Sequence, residues 1–266
     1  MSLASGIFTF PWEFVLNFYN MMYFNLPLYQ ESQLGLERIH KTDSRYAQLL
    51  STLPGSQIKN EMQPFLNEAG IRGDLIFVET PNQGACSASG TNMFRNGDAV
   101  IMVDPDLHEA DKDACNWAIM HEISHIKCND TLTMQCVPGV CQLAASIFGM
   151  CYLSFLPALA VASMAGFVSR ALFSQWREGE ADDFAIKNSS NEELRGGRRF
   201  LIAAQKKNIE ERNTFWKRIT ISCGGDPRIP QSHPSFISRI KKIENALRDR
   251  GIDISAEEEE YELVIN

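Results

Sequence analysis

The chain has 266 residues, a formal net charge of -8 and a sequence pI near 5.2. This length suffices for one domain with an appendage, and the acidic charge argues against a nucleic-acid partner, because phosphate binding depends on clustered Lys and Arg. The seven cysteines show no paired CxxC spacing, so they indicate neither a disulfide framework nor a Cys-rich zinc module. We therefore expect a reducing compartment.

The two ends of the chain differ in composition from the rest. Residues 1–33 are apolar and rich in aromatic side chains, with a narrow polar stripe at helical spacing. Such a helix is typical of a membrane interface, although it can also pack onto its own domain. Residues 256–266 are strongly acidic and predict a solvated tail. We expect residues 34–255 between them to form the main domain.

Short strands are predicted before residue 104, and a helix after residue 110. Two β-branched runs and a run of small residues between them indicate the strands: 75–78, 84–90 and 99–103. A helix is expected from Asp111 or Asp113, which are both suitable caps, to about Asn129. The sequence therefore predicts an α+β fold that is mainly helical, with a small mixed sheet.

The predicted helix carries the sequence HEISH, whose histidines are His121 and His125. Two imidazoles four residues apart project from one helical face, which is the arrangement that binds zinc in HExxH peptidases. The intervening Glu122 can act as general base for the attacking water without ligating the metal. The pattern predicts one catalytic zinc ion per chain, against the alternative of two ordinary surface histidines.

An apolar insert follows this helix. Residues 131–169 contain no charged side chain, and two helices at about 139–156 and 158–173 are predicted, with a turn near Pro157. Each helix is barely long enough to cross a membrane. Small residues favour close helix packing in a membrane and in a buried hairpin alike. The hairpin, residues 137–173, therefore predicts either two membrane spans or a pair of core helices.

A catalytic zinc ion needs a third protein ligand. Glu178 and Asp182 stand four residues apart in the sequence EGEAD, on a predicted helix. One carboxylate could bind the metal while the other accepts the free ring N–H of a histidine ligand, for which His121 is our candidate. Cys86 is a second candidate for the third ligand, because deformylases pair an upstream cysteine with HExxH.

Three segments of the sequence resemble one family. HEISHIKCND and REGEADDFA are similar to the metal motifs of the gluzincin peptidases that include HtpX and the CAAX prenyl proteases, and SHPSFISRI resembles that family's HPxxxxRI segment. The resemblance implies that Glu178, rather than Glu180, is the third zinc ligand. It also implies that His233 stabilises the tetrahedral oxyanion and that Arg239 supports the site. The alternative for His233 is an ordinary helix-entry residue before Pro234.

The motifs and the resemblance together predict a zinc-dependent endopeptidase with a gluzincin-like domain at residues 34–255. We expect a peptide or protein substrate and membrane association, with the catalytic domain facing the cytosol because Lys and Arg flank the hairpin. A cytoplasmic protein is the alternative localisation. Two other functions stay open: a membrane-associated metal-binding scaffold without turnover, and a deformylase-like metallohydrolase that uses Cys86.

Overall fold

The computed structural model describes residues 75–79, 87–90, 99–228 and 233–255. The apolar segment 1–33, the acidic tail 256–266 and Cys86 lie outside these residues, so the expectations for them stay predictions. The described chain is mainly helical, as the sequence predicts.

Three strands form one sheet in the order β1-β3-β2. Their bounds are β1 Leu75–Glu79, β2 Ser87–Gly90 and β3 Ala99–Val103. β2 therefore lies at an edge of the sheet, where the run of small residues predicts a strand. The mixed strand direction stays a prediction.

Seven helices follow in the described part of the chain: α1 Pro105–Ala110, α2 Lys112–Lys127, α3 Asp130–Tyr152, α4 Phe155–Asn188, α5 Asn191–Glu211, α6 Phe215–Thr220 and α7 Phe236–Asp249. α1 has no counterpart in the sequence prediction. The chain divides into two compact units. The first unit comprises residues 1–79, 88–102 and 126–166, and the second comprises residues 80–87, 103–125 and 167–266.

In the first unit, α3 and the start of α4 form the apolar hairpin. The helices are close enough that a Cβ on Gly149 would lie 2.9 Å from the Cβ of Ala158. The prediction was wrong about both ends of the first helix. α3 begins at Asp130, with Pro138 in its interior, because one proline costs about 3 kcal/mol and does not by itself end a long apolar helix. The turn comes before Pro157, which the first turn of α4 accommodates.

The hairpin exposes its apolar side chains. Within the described residues, two helices are long and apolar enough to cross a membrane, Leu132–Tyr152 and Phe155–Asn188. Only 12% and 17% of their most apolar windows are buried. Large side chains on both helices face outward: Leu143, Phe148, Met150, Leu156, Met164 and Phe167. Among the described residues, this exposure favours the membrane-spanning interpretation of the hairpin over the pair of core helices.

The second unit has a conventional apolar core around α2, α5 and α7. α2 is buried on most of its circumference and contributes four large buried side chains: Trp117, Ile119, Met120 and Ile123. α5 and α7 contribute a second set: Leu194, Leu201, Ile240, Ile243 and Leu247. Arg198 Nε lies 2.8 Å from Glu244 Oε1, so the two buried charges neutralise each other between α5 and α7.

Candidate metal centre

Two histidines of α2 turn their Nε2 atoms toward each other. The α2 helix begins beside Asp111, whose Oδ1 accepts a hydrogen bond from the backbone N–H of Ala114 at 3.1 Å. One helical turn separates His121 from His125, and their Nε2 atoms lie 3.2 Å apart. His121 is buried and His125 half-buried. Both rings thus present a metal-ligating nitrogen to one point.

Glu178 on α4 reaches the same point. Its Oε2 lies 3.1 Å from Nε2 of His121, and its Oε1 lies 3.6 Å from Nε2 of His125. Glu180, the other glutamate of the motif, is exposed. His121, His125 and Glu178 therefore form a cluster that could hold a metal ion.

The spacing of these atoms fits zinc. Ligands at 2.0–2.2 Å from a tetrahedral ion lie about 3.3–3.6 Å from one another. The observed separations of 3.1, 3.2 and 3.6 Å are close to this range, with the two histidine rings facing different oxygens of Glu178. Two imidazoles and one carboxylate are also a donor set of catalytic zinc sites, which keep the fourth position open. The residues present thus fit the ion in both geometry and chemistry.

Asp182 lies on the side of His121 that points away from the cluster, and Arg239 contacts Asp182. Oδ1 of Asp182 lies 3.0 Å from Nδ1 of His121, a close ionic contact whose angle departs from that of an ideal hydrogen bond. Arg239 donates two hydrogen bonds to the same carboxylate, from Nε to Oδ2 at 2.8 Å and from Nη2 to Oδ1 at 2.7 Å. The guanidinium fork thereby fixes the carboxylate, and the carboxylate faces the ring nitrogen that points away from the cluster.

The electrostatics of the centre favour a cation. Burial disfavours the protonated form of His121, but the carboxylates of Asp182 and Glu178 outweigh burial and raise its pKa to about 9. Burial likewise opposes ionisation of Glu178, yet His121 and His233 hold its pKa well below the usual range. Burial is outweighed at Asp182 as well, where His121 and Arg239 lower the pKa. The site thus holds two ionised carboxylates that attract positive charge.

His233 lies beside the cluster. Its Nδ1 is 2.9 Å from Oε2 of Glu178, and its side chain is 48% exposed. Three residues after His233, the backbone N–H of Phe236 donates a hydrogen bond to Oδ1 of Asp226 at 2.6 Å, which holds this segment in place. The structure therefore brings His233 to the predicted site, although it also stands close before α7.

A cavity of about 340 Å³ opens beside the cluster. The polar part of its lining contains the residues that the motifs single out: His121, Glu122, Glu178, His233 and Arg239. The apolar part comes mainly from α2 and α5: Trp117, Ala118, Phe200, Leu201 and Ala204. Glu122 is thus placed where a substrate could lie against apolar walls. The sequence prediction did not foresee this cavity.

The sequence prediction also missed Gly196 and Gly197 on α5. A Cβ on Gly196 would lie 2.4 Å from the backbone N of Ala114, and a Cβ on Gly197 would lie 2.4 Å from the indole ring of Trp117. Only glycine therefore lets α5 approach the helix that carries the two histidines. Two adjacent glycines inside an amphipathic helical pattern are the signal that could have revealed this contact.

Comparison with protein families supplies the class of the protein. The model of peptidase family M48 matches residues 55–247, a segment that includes every predicted site residue. The chain belongs to peptidase family M48. Membership of M48 makes it a metallopeptidase, a hydrolase that acts on peptides or proteins, and the prediction of that class is confirmed. Comparison with curated proteins and with solved structures finds no match.

Proposed function

We propose that this M48 peptidase is a zinc-dependent endopeptidase whose ion is held by His121, His125 and Glu178. The observation that carries the proposal is the convergence of these three ligand groups within 3.1 to 3.6 Å of one another. Glu122 lines the cavity that opens beside them, which is where a general base has to stand. Within M48, the motifs resemble those of the HtpX and CAAX prenyl protease branch.

Each side chain has a defined task in this proposal. Zinc, when bound, polarises the substrate carbonyl and makes water a nucleophile near neutral pH. Glu122 takes the proton of the attacking water and passes it to the leaving amine. His233 donates to the oxyanion that develops at the carbonyl, a contribution of about 2.7–4 kcal/mol for one such donor.

The remaining two residues position His121. The carboxylate of Asp182 lies 3.0 Å from Nδ1 of the ring, and in the metal-bound site it would accept the Nδ1–H and fix the tautomer that leaves Nε2 free for the ion. Arg239 holds Asp182 through its two hydrogen bonds. Neither residue touches the reacting atoms, so we assign both of them a positioning role.

The cavity supports a preference for substrates with a large apolar side chain beside the scissile bond. Phe200, Leu201 and Ala204 lie on one face of α5 and form its wall, while Glu122 and Glu178 lie on the polar side. Apolar surface of this kind takes up an apolar side chain, and the few polar groups fix its orientation.

The exposed hairpin supports membrane association. Its two helices have the length and the apolar composition of spanning segments, and their large side chains face outward. Because predicted zinc ligands precede and follow the hairpin, two crossings return the chain to the side from which it started. We propose, from the Lys and Arg residues near the hairpin, that this side is the cytosol.

The alternatives have less support. A metal-binding scaffold needs no general base, whereas Glu122 lines the cavity beside the cluster. A deformylase-like site would take Cys86 as third ligand, and Glu178 would then have no role although it lies among the histidines.

Cleavage of a mixed peptide pool by the purified chain tests the proposal. We expect cleavage that stops when a chelator removes the metal and returns when zinc is added. Cleavage that persists without any metal would contradict both the peptidase mechanism and the deformylase-like alternative. Metal binding without cleavage of any peptide would favour the scaffold.

A further inference from the structure

The short helix α6 displays aromatic side chains to solvent. Phe215 is 70% exposed and Trp216 is 74% exposed, and none of the residues of α6 is buried. The two rings contact each other edge-on, with centroids 5.5 Å apart. Ile219, one turn further along, is exposed as well. Contiguous exposed apolar groups of this size on a folded domain mark a surface that contacts something else.

Basic residues are frequent in the sequence that contains and precedes α6. Residues 206–218 contain five basic and two acidic residues, in a chain whose net charge is -8. Of these, Lys217 contacts Glu211 at 2.7 Å, and Arg218 donates from Nε to the backbone carbonyl of Arg212 at 3.2 Å. The region around α6 is therefore positive within an acidic protein and is complementary to an anionic surface.

The loop that follows α6 is hydrogen-bonded to α5. Gln205 donates to the carbonyl of Gly224 at 2.7 Å, and Asn208 donates to the carbonyl of Gly225 at 2.9 Å. The loop closes on itself through a bridge between Ile221 and Pro227. The residues that follow α6 are thus bound to α5, the helix that lines the cavity.

We infer that α6 rests on a membrane surface that contains anionic lipid. Trp and Phe beside Lys and Arg are the side chains that settle at the boundary between headgroups and acyl chains. Three apolar side chains on a six-residue helix offer too little area for a stable protein interface, which needs about 800 Å² on each partner. Shallow insertion of apolar side chains into lipid does not require an area of that size. In the same unit, α4 exposes Leu172 at the end of the apolar hairpin and Trp176 just after it.

The inference rests on the proposed membrane association and adds an orientation to it. α5 carries both the cavity wall and, at its C-terminal end, the contacts to α6. The eleven helical rises from Phe200 to Glu211 span about 16 Å. A bilayer contact at α6 therefore places the cavity close to the lipid surface, within reach of substrate segments that leave the membrane.

The fluorescence of Trp216 in reconstituted protein tests the inference. The full chain is placed in phosphatidylcholine vesicles with or without phosphatidylglycerol, and the spectrum of Trp216→Phe is subtracted from that of the wild type. We expect the Trp216 component to be blue-shifted and quenched by brominated lipid, roughly twofold more strongly in the anionic vesicles. The double variant Lys217→Gln/Arg218→Gln should lose this difference.

Two outcomes would overturn the inference. One is a Trp216 component that keeps the emission of exposed indole in both kinds of vesicle. The other is a blue shift that appears in detergent and grows with protein concentration, because that would show contact between copies of the chain. Trp176→Phe is the matched control, because subtraction of its spectrum isolates the component of Trp176, just after the hairpin. If brominated lipid quenches the Trp216 component but not the Trp176 component, the result counts against the hairpin spans and leaves α6 on the lipid. Chelator-sensitive peptide cleavage by the Trp216→Phe variant tests the proposed peptidase activity independently of lipid contact at α6.

Discussion

Nδ1 of His121 lies 3.0 Å from Oδ1 of Asp182, although 60 residues of chain, including the whole apolar hairpin, separate the two. The contact occupies the ring nitrogen that faces away from His125 and leaves Nε2 in the cluster. Arg239, from the last described helix, holds the same carboxylate. Three distant segments of the sequence thus cooperate in orienting one imidazole.

Replacing Asp182 by Asn should weaken metal binding. The amide keeps the size of the side chain but removes the charge that fixes the His121 tautomer, and loss of such a partner costs about 10- to 100-fold in metal affinity. Competition for zinc against a chromophoric chelator measures the effect. Asp183→Asn is the matched control, because Asp183 is exposed and contacts Lys242 instead. Equal affinities for the two variants would contradict the positioning role.

Replacing Glu178 by Gln should abolish stable zinc binding, because a carboxylate with two close histidine nitrogens becomes a neutral amide. Glu180→Gln, one position beyond Gly179 and exposed, should keep about one zinc per chain. Metal analysis of both purified variants after dialysis gives the answer. A Glu178→Gln protein that retains its zinc would show that another residue is the third ligand.

Replacing Gly197 by Ala should destabilise the second unit. The added methyl group would lie 2.4 Å from the ring of Trp117, and overpacking of this kind costs about 1–3 kcal/mol. Gly179→Ala is the contrasting change, because nothing lies within 4 Å of its Cβ position. Alanine there should stabilise α4 by about 0.5–1 kcal/mol. Thermal unfolding of the two variants should therefore shift in opposite directions, and equal shifts would refute the packing argument.

Replacing Ala204 by Phe should fill part of the cavity beside the centre. We expect cleavage of peptides with a large apolar side chain at the scissile bond to fall by about 10- to 200-fold in kcat/KM, while peptides with small side chains are affected less. Ala203→Phe provides the control on the exposed side of the same helix. Peptide pools analysed by mass spectrometry measure both preferences. An unchanged substrate preference in the Ala204→Phe variant would show that the cavity does not bind the substrate side chain.

The sequence predicted the parts of this structure that depend on local pattern. Asp111 caps the helix with the two histidines, and the four-residue spacing of Glu178 and Asp182 sends one carboxylate to the cluster and the other to His121. Periodicity and capping act within a few residues, so a single sequence reveals them. The start of α3 was predicted nine residues late, because the length of the helix outweighs the cost of Pro138.

The cavity and the close approach at Gly196 and Gly197 were not predicted. Both depend on which face of α5 meets Trp117 and Ala114, and that pairing joins segments about 80 residues apart. Nothing in the local pattern of either helix specifies the partner. The glycine pair reports that some neighbour comes close, but not which one.

Glu122 is the proposed general base, and comparison of its glutamine variant with the wild type tests this role. Zinc-loaded Glu122→Gln and zinc-loaded wild type are compared for hydrolysis of the same peptide, with bound zinc determined in each sample. We expect the variant to keep about one zinc per chain and to lose cleavage by about 10²- to 10⁴-fold, because the ligands are intact and only the proton acceptor is gone. Cleavage by the zinc-loaded variant at the wild-type rate would contradict the mechanism.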